Sequence, residues 1–125
     1  MFEIRILPNN ELGPEGQRLG RITIGNFTER FACYPVCGSV EELQEAWVRE
    51  LRKLISGSAS VALVHDPRFA WVFYREGQRC YVQQVFSESG DFSEHLAQHV
   101  TVTEEGDSVS EWSTSLADIS RFVDA

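Results

Sequence analysis

Basic residues are nearly absent from the last third of this chain. Between Ser87 and Ala125, Arg121 alone stands against nine carboxylates: Glu88, Asp91, Glu94, Glu104, Glu105, Asp107, Glu111, Asp118 and Asp124. The first 86 residues hold ten acids and ten bases, so the whole net charge of −8 resides in that final stretch. A field of one sign repels nucleic acid, whose binding needs a basic stripe, and concentrates cationic partners instead. Two readings follow: a solvated, solubilising face, or a docking surface for a basic protein. Lysine occurs once, at Lys53, against ten arginines, a ratio that favours planar, multiply bonded contacts over flexible point charges.

Long apolar runs are also missing. None approaches the roughly 18 residues of a membrane-spanning helix. The N-terminus, Met1-Phe2-Glu3-Ile4-Arg5-Ile6, alternates apolar and charged residues and lacks the basic head and apolar stretch of a signal peptide. The chain is therefore expected to be cytoplasmic, mature from Met1, and a single domain over residues 1–125, long enough to bury a core without disulfides or metals. Three cysteines, of which only Cys33 and Cys37 are close, supply neither a disulfide framework nor the paired motifs of a zinc site. All three are expected to be reduced, with Cys33 and Cys80 in strands. There is no Gly-x-Ser-x-Gly elbow, no phosphate-binding loop ending in Lys-Ser/Thr and no dinucleotide fingerprint, so no catalytic role and no cofactor or metal are expected.

What is present reads as an α+β domain. Phe2, Ile4 and Ile6 alternate as in a half-buried strand. Asn9 to Gly20, with Pro14, Gly13 and Gly16, reads as a loop, and Arg21–Ile24 and Phe27–Tyr34 as a hairpin turning at Gly25-Asn26. Ser39 with Glu42 three residues on is a capping box. It opens a long amphipathic helix with Leu43, Ala46, Trp47, Leu51, Leu54 and Ile55 on the apolar face, Glu45 and Arg49 on the wet face, and Gly57 as its stop. Strands follow at Val61–Val64, Phe69–Arg75 and Arg79–Phe86, the last two joined at Glu76-Gly77-Gln78. The middle strand is apolar on both faces and is expected to be central; the third is mixed and expected nearer an edge. A short helix over Asp91–Val100 comes next, then Thr101–Thr103 and Val109–Ser113 flanking Glu104-Glu105-Gly106-Asp107. A last helix opens at Ser115, with Asp118 in the capping-box place. The sum is an antiparallel sheet of about six or seven strands packed by the long helix and the C-terminal helix, with Trp47, Trp71 and Trp112 buried in one core.

One set of residues could host chemistry. His95 and His99, four apart on a helix, would project from one face, the geometry of a two-histidine metal site. The position after the first histidine is Leu96, where a zincin needs its general-base Glu, so a polar helix face explains the pair better. His65-Asp66 before Pro67 reads as a capped turn rather than a dyad. A small enzyme or ligand-binding protein with a site near His65, His95 and His99 is the alternative from another class, and an acidic adaptor or chaperone for secretion machinery is a third.

The order of motifs is distinctive. A Trp-bearing helix (Ala46-Trp47-Val48-Arg49-Glu50-Leu51) precedes Ser60-Val61-Ala62-Leu63-Val64 and Asp66-Pro67. The strands Phe69-Ala70-Trp71-Val72-Phe73-Tyr74-Arg75 and Cys80-Tyr81-Val82-Gln83-Gln84 follow, then Val109-Ser110-Glu111-Trp112-Ser113 and Ser115-Leu116-Ala117-Asp118-Ile119. This order resembles the immunity proteins of bacterial contact-dependent growth inhibition (CDI) systems, the CdiI-like group with a Ser-Glu-Trp segment before its C-terminal helix. The resemblance spans about residues 40–123. The chain is shorter than that family between Val64 and Trp71 and around Ser87 to Asp91, so family toxin contacts borne by those loops are not carried over. The resemblance implies a non-catalytic monomer that binds one copy of its cognate CDI toxin C-terminal domain and neutralises it, with no direct nucleic-acid or membrane contact. It further implies that the toxin is a basic nuclease, one that cleaves RNA such as tRNA. A nuclease site is basic because it grips phosphate, which selects the docking reading of the acidic stretch. The expected toxin-binding surface is Glu88, Asp91, Glu94, Glu104, Glu105 and Asp107, brought together by two loops and a short helix.

Overall fold

The computed structural model describes residues 1–8, 17–34 and 39–125. Its elements run β1 (Phe2–Ile6), β2 (Arg18–Ile24), β3 (Phe27–Cys33), α1 (Val40–Ser56), β4 (Ser60–Asp66), β5 (Phe69–Glu76), β6 (Arg79–Phe86), α2 (Ser93–Ala97), β7 (Trp112–Ser115) and α3 (Leu116–Val123). The domain is α+β, but the strands form two antiparallel sheets and not the single sheet expected: β1-β2-β3 and β4-β5-β6-β7. The break falls between β3 and β4. No ladder joins them; the Tyr34 amide donates to the His65 carbonyl at 2.8 Å, at the point where β4 shifts register between Val64 and Asp66. A bulge of this kind bends a strand and ends regular pairing, which is why β4 cannot continue the first sheet.

The long helix begins as the sequence indicates. Ser39 Oγ accepts from the Glu42 amide at 3.2 Å, and Glu41 and Glu42 lie in the first turn, favourable at the positive end of the helix dipole. Its other end is held by Gly57 and by the Arg75 guanidinium, which donates to the Leu54 and Ile55 carbonyls at 2.8 and 3.0 Å. The Leu54 carbonyl also accepts from the Gly57 cap amide at 3.2 Å, so a cation from β5 adds to the cap and complements the dipole. Trp47, Leu51 and Leu54 are the buried face of α1. Trp47 Nε1 donates to the Val64 carbonyl at 2.9 Å and Gln44 Oε1 accepts from the Ile6 amide at 2.8 Å, so one helix is fastened to both sheets.

The main core gathers residues from both sheets, α1 and α3: Ile4, Ile22, Phe31, Trp47, Leu51, Leu63, Trp71, Phe73 and Ile119 are among its members. Gly20 shows how tight it is. A Cβ there would lie 2.6 Å from the Phe31 ring and 2.8 Å from Cys33 Sγ, so the strand accepts only glycine beside them. Arg18 to Gly20 belong to β2, so the expected loop ends three residues earlier than its sequence suggests, while Asn9 to Gly16 (Gly13 and Pro14 among them) and Cys37 lie outside the described residues. Trp47 and Trp71 are fully enclosed. Trp112 is only half-buried: it stacks on Phe27 with ring centroids 4.0 Å apart and meets Trp71 edge-on at 6.2 Å, closing the side of the core between the two sheets.

β5 is an interior strand with both faces covered. Trp71 and Phe73 enter the main core, while Ala70, Val72 and Tyr74 point the other way into a smaller cluster with Val85 and Phe92. β6 is interior as well, not the expected edge, because the four-residue β7 pairs with its first half. The mixed pattern of β6 arises because its polar outer residues meet a crossing segment.

Candidate interaction surface

Residues 87–111 cross the outer face of the four-stranded sheet, on the side opposite α1. The segment has little regular structure of its own. α2 is only five residues long and its first turn has no side-chain cap. What holds it is a row of polar side chains rising from three successive strands, each bonded to a main-chain carbonyl. Ser60 Oγ on β4 donates to the Leu96 carbonyl at 2.6 Å, Tyr74 Oη on β5 to the His95 carbonyl at 2.7 Å, and Gln83 Nε2 on β6 to the Val100 carbonyl at 2.9 Å. Burial, followed by the nearby Glu111 charge, raises the Tyr74 phenol above its usual range, so it remains a donor at physiological pH. Phe92 and Leu96 add apolar contacts against Ala70, Val72 and Tyr74.

His99 completes the fastening. Its ring stacks on Tyr74 with centroids 4.2 Å apart and planes 9° from parallel, and it lies 5.7 Å from the Tyr81 ring. His99 Nε2 is hydrogen-bonded to Glu111 Oε1, which also accepts from Gln83 Nε2 at 3.0 Å. Glu111, in the Ser-Glu-Trp segment, thus pairs across the sheet. Beyond Val100 the chain folds back on itself: Val102 bridges Ser108, and the Thr103 amide donates to the Asp107 carbonyl at 2.8 Å. Glu104 and Glu105 sit at the tip.

The six carboxylates expected to face a partner, Glu88, Asp91, Glu94, Glu104, Glu105 and Asp107, are all exposed. They fall into two triads, one before and one after the His99 anchor. None of the six makes an ion pair with a described residue, whereas the other three acids of the C-terminal stretch each have a basic or histidine partner. Glu111 has His99, Asp118 has the N-terminal amine and Arg121, and Asp124 has Arg52. Within the C-terminal stretch, the acids without a described partner are therefore confined to the crossing segment.

The loop carrying the first triad is well tied. The Ser87 amide donates to the Arg68 carbonyl at 2.8 Å, and Ser87 Oγ to the Asp91 carbonyl at 2.7 Å. Gly90 adopts φ +80° against the Pro67 carbonyl, where a Cβ would come within 2.8 Å. Asp91 Oδ1 accepts from the Ser93 hydroxyl and amide at 2.6 and 2.9 Å, and these bonds hold its carboxyl below the usual range. Asp91 therefore serves the loop as well as the field.

The histidines do not converge. α2 ends at Ala97, so His95 and His99 do not share a helix face, because Gln98 is already extended at φ −144°, ψ 122°. His65 lies on the opposite face of the sheet, 3% exposed, against Phe31 and Trp71. Both its ring nitrogens are engaged: Nδ1–H donates to the Ala32 carbonyl at 2.8 Å, and Nε2 accepts from Gln84 Nε2 at 3.2 Å. Asp66 Oδ1 accepts from the Arg68 amide at 2.9 Å, the capped turn its sequence suggests. Among the described residues no three His, Cys, Asp or Glu side chains are grouped so as to hold a metal ion. Cys33 and Cys80, in β3 and β6, are buried and unpaired; burial pushes their thiols up to about 12 and about 11, which leaves no thiolate nucleophile at neutral pH. Among the described residues no helix is long and apolar enough to cross a membrane.

Sequence reading missed the residues that position this surface. Tyr74 and Gln83 are polar groups on strands buried on both faces, and that mismatch was the available signal.

With this geometry in view, the comparisons with known proteins converge. Residues 38–122 match the sequence profile of the CdiI N-terminal domain, and the chain belongs to that family. It is a CdiI-like immunity protein of contact-dependent growth inhibition. The fold is shared with a solved structure described as a CdiA-CT/CdiI toxin and immunity complex from Enterobacter cloacae, with a TM-score of 0.79 at 22% identity over 99% of this chain and 97% of that one. No curated protein matches it in sequence.

Proposed function

We propose that this protein binds the C-terminal toxin domain of a CDI system in a one-to-one complex in the cytoplasm and inhibits it by occupancy, without catalysis. The observation that carries this reading is the crossing segment: six carboxylates with no described countercharge, on a chain whose backbone is bonded to three strands beneath it. Surface acids that served solubility alone would need no such anchoring, whereas a docking surface gains affinity from being ordered before the partner arrives. Family membership and the fold shared with an immunity protein solved beside its toxin support the same partner.

The toxin that fits is basic, and a nuclease acting on RNA is the class that supplies such a surface, since its active site grips phosphate. Because a catalytic toxin acts by turnover, protection needs fast capture, which an acidic field provides by steering. The test is co-purification with the neighbouring toxin domain, followed by RNA cleavage by the released toxin and titration of protection. Protection should end at one inhibitor per toxin. One inhibitor rescuing many toxin molecules would require turnover and overturn the occupancy mechanism.

A further inference from the structure

At the end of the β5–β6 hairpin strands opposite their turn, two aromatic rings stand in solvent. Phe69 and Phe86 are register partners with ring centroids 5.1 Å apart, yet they are 38% and 51% exposed. Each faces the same side of the sheet as Trp71 and Val82, which are fully buried. The pair thus extends the core face past the point where the three-stranded sheet and α1 cover it. Phe69 lines a depression of about 400 Å³ shared with Glu29, Arg30 and Asp66, and Phe86 lines one of about 290 Å³ shared with Glu88, Asp91 and Glu94. The rings form the ridge between the two.

We propose that the Phe69–Phe86 pair is the apolar anchor by which this protein grips its toxin, and that the occupant is a basic segment of that toxin. The inference rests on the toxin-binding function proposed above and names where on the surface it is performed. Charge selects the occupant. Five carboxylates and one guanidinium line the two depressions, with Arg68 in the turn beside them, so a second copy of this acidic chain would meet its own sign while a basic polypeptide meets its complement. Rigidity selects the site. Both rings are carried on paired strands, and the neighbouring loop is fixed by the Ser87–Arg68 and Ser87–Asp91 bonds, so little ordering is needed on binding. Val100 and Val102 are also exposed, but they lie on the folded-back segment beyond α2, where Val102 has one isolated bridge. Aromatic residues rimmed by polar groups are the common composition of binding hot spots, and their loss acts mainly on dissociation.

The test compares toxin binding by the parental protein, Phe69→Ala, Phe86→Ala and the control Glu45→Gln, on the wet face of α1, by surface-immobilised kinetics. Each Phe variant is expected to dissociate on the order of 30-fold faster, with the association rate and the melting temperature close to parental and the Glu45→Gln dissociation rate unchanged. Parental protein that binds toxin tightly, with both Phe variants dissociating at the parental rate, would overturn the anchor and leave the toxin-binding function standing. Parental protein that fails to bind the toxin would overturn both. Because truncation could loosen the sheet end, a second arm places the photo-crosslinker p-benzoylphenylalanine at Phe86, with Glu45 on the wet face of α1 as its control. Crosslinking to toxin from position 86 and not from 45 supports the anchor; crosslinking from neither, or to a second copy of this chain, overturns it.

Discussion

His65 sits where the two sheets meet, and its protonation state is bound up with that junction. Its carbonyl accepts from Tyr34, its Nδ1–H donates to Ala32, and its Nε2 has no proton because Gln84 donates to it. Burial, only partly opposed by the Ala32 bond and the Asp66 charge, lowers its pKa from the ordinary 6.5. In the unfolded chain the same imidazole titrates near that ordinary value. Between the lowered folded value and 6.5 the unfolded state therefore binds more protons, and stability falls as pH falls through that window. Above 6.5 both states are neutral and the effect vanishes. The slope cannot exceed about 1.4 kcal/mol per pH unit for one group. Denaturant unfolding of the parental protein and His65→Gln at pH 7.5 and 5.5 isolates it. The parental protein should be the more stable at the higher pH, and its advantage should shrink at the lower. An advantage independent of pH would mean that His65 is not held neutral by burial.

The crossing segment is an element without much secondary structure, and its stability depends on side chains of another element. If the His99 ring and its bond to Glu111 fasten the segment, His99→Ala should loosen residues 95–111 by about 1–2 kcal/mol while the sheets persist. Hydrogen exchange reads this directly: the amides of Gln98, Thr103 and Val109, bonded within the segment, should exchange faster, and those of β4 and β5 should not. Uniform acceleration across the chain would show His99 to be part of the global core instead. The contrast with α1 explains what sequence could and could not supply. Ser39, Glu42, the Trp47-Leu51-Leu54 stripe and Gly57 are local signals, and the helix follows from them. The strands β4 to β6 were equally legible, since alternation and turn residues act within a few positions. The separation into two sheets was not, because it depends on a bulge at Val64–Asp66 and on His65 reaching Ala32, 33 residues away in sequence. The expected helix over Asp91–Val100 shortened for the same reason. Bonds from Ser60, Tyr74 and Gln83 to the carbonyls of His95, Leu96 and Val100 pin the backbone to the sheet, and only Ser93–Ala97 remains helical. Of the candidate surface, the charges were readable from composition; the exposed Phe69 and Phe86 were not, since alternation alone places them on a core face.

Across the whole molecule, charge and packing are separated. Asp118 of α3, Asp124 at its C-cap and Glu111 of the Ser-Glu-Trp segment are engaged within the molecule, with Arg121 and the N-terminal amine, Arg52, and His99 respectively, while the two triads remain without ion pairs to described residues. That division predicts which property each set controls. Neutralising Glu104, Glu105 and Asp107 together, as Glu104→Gln, Glu105→Gln and Asp107→Asn, removes three exposed charges and no ion pair to any described residue, and the turn bonds of Asp107 run through its backbone. Melting temperature should therefore stay close to parental. Association with a basic toxin should slow by several-fold at low salt, because steering depends on the summed field and not on contact. At an ionic strength of about 0.1 M the field decays within roughly 10 Å, so the parental and triple-mutant rates should approach each other as salt rises. Dissociation should change little, in contrast to the Phe69 and Phe86 variants, whose effect belongs to the formed complex. Stopped-flow association at two or more salt concentrations separates the two. If the triple mutant associates at the parental rate in low salt, the second triad does not face the toxin, and steering must come from Glu88, Asp91 and Glu94 beside the aromatic pair.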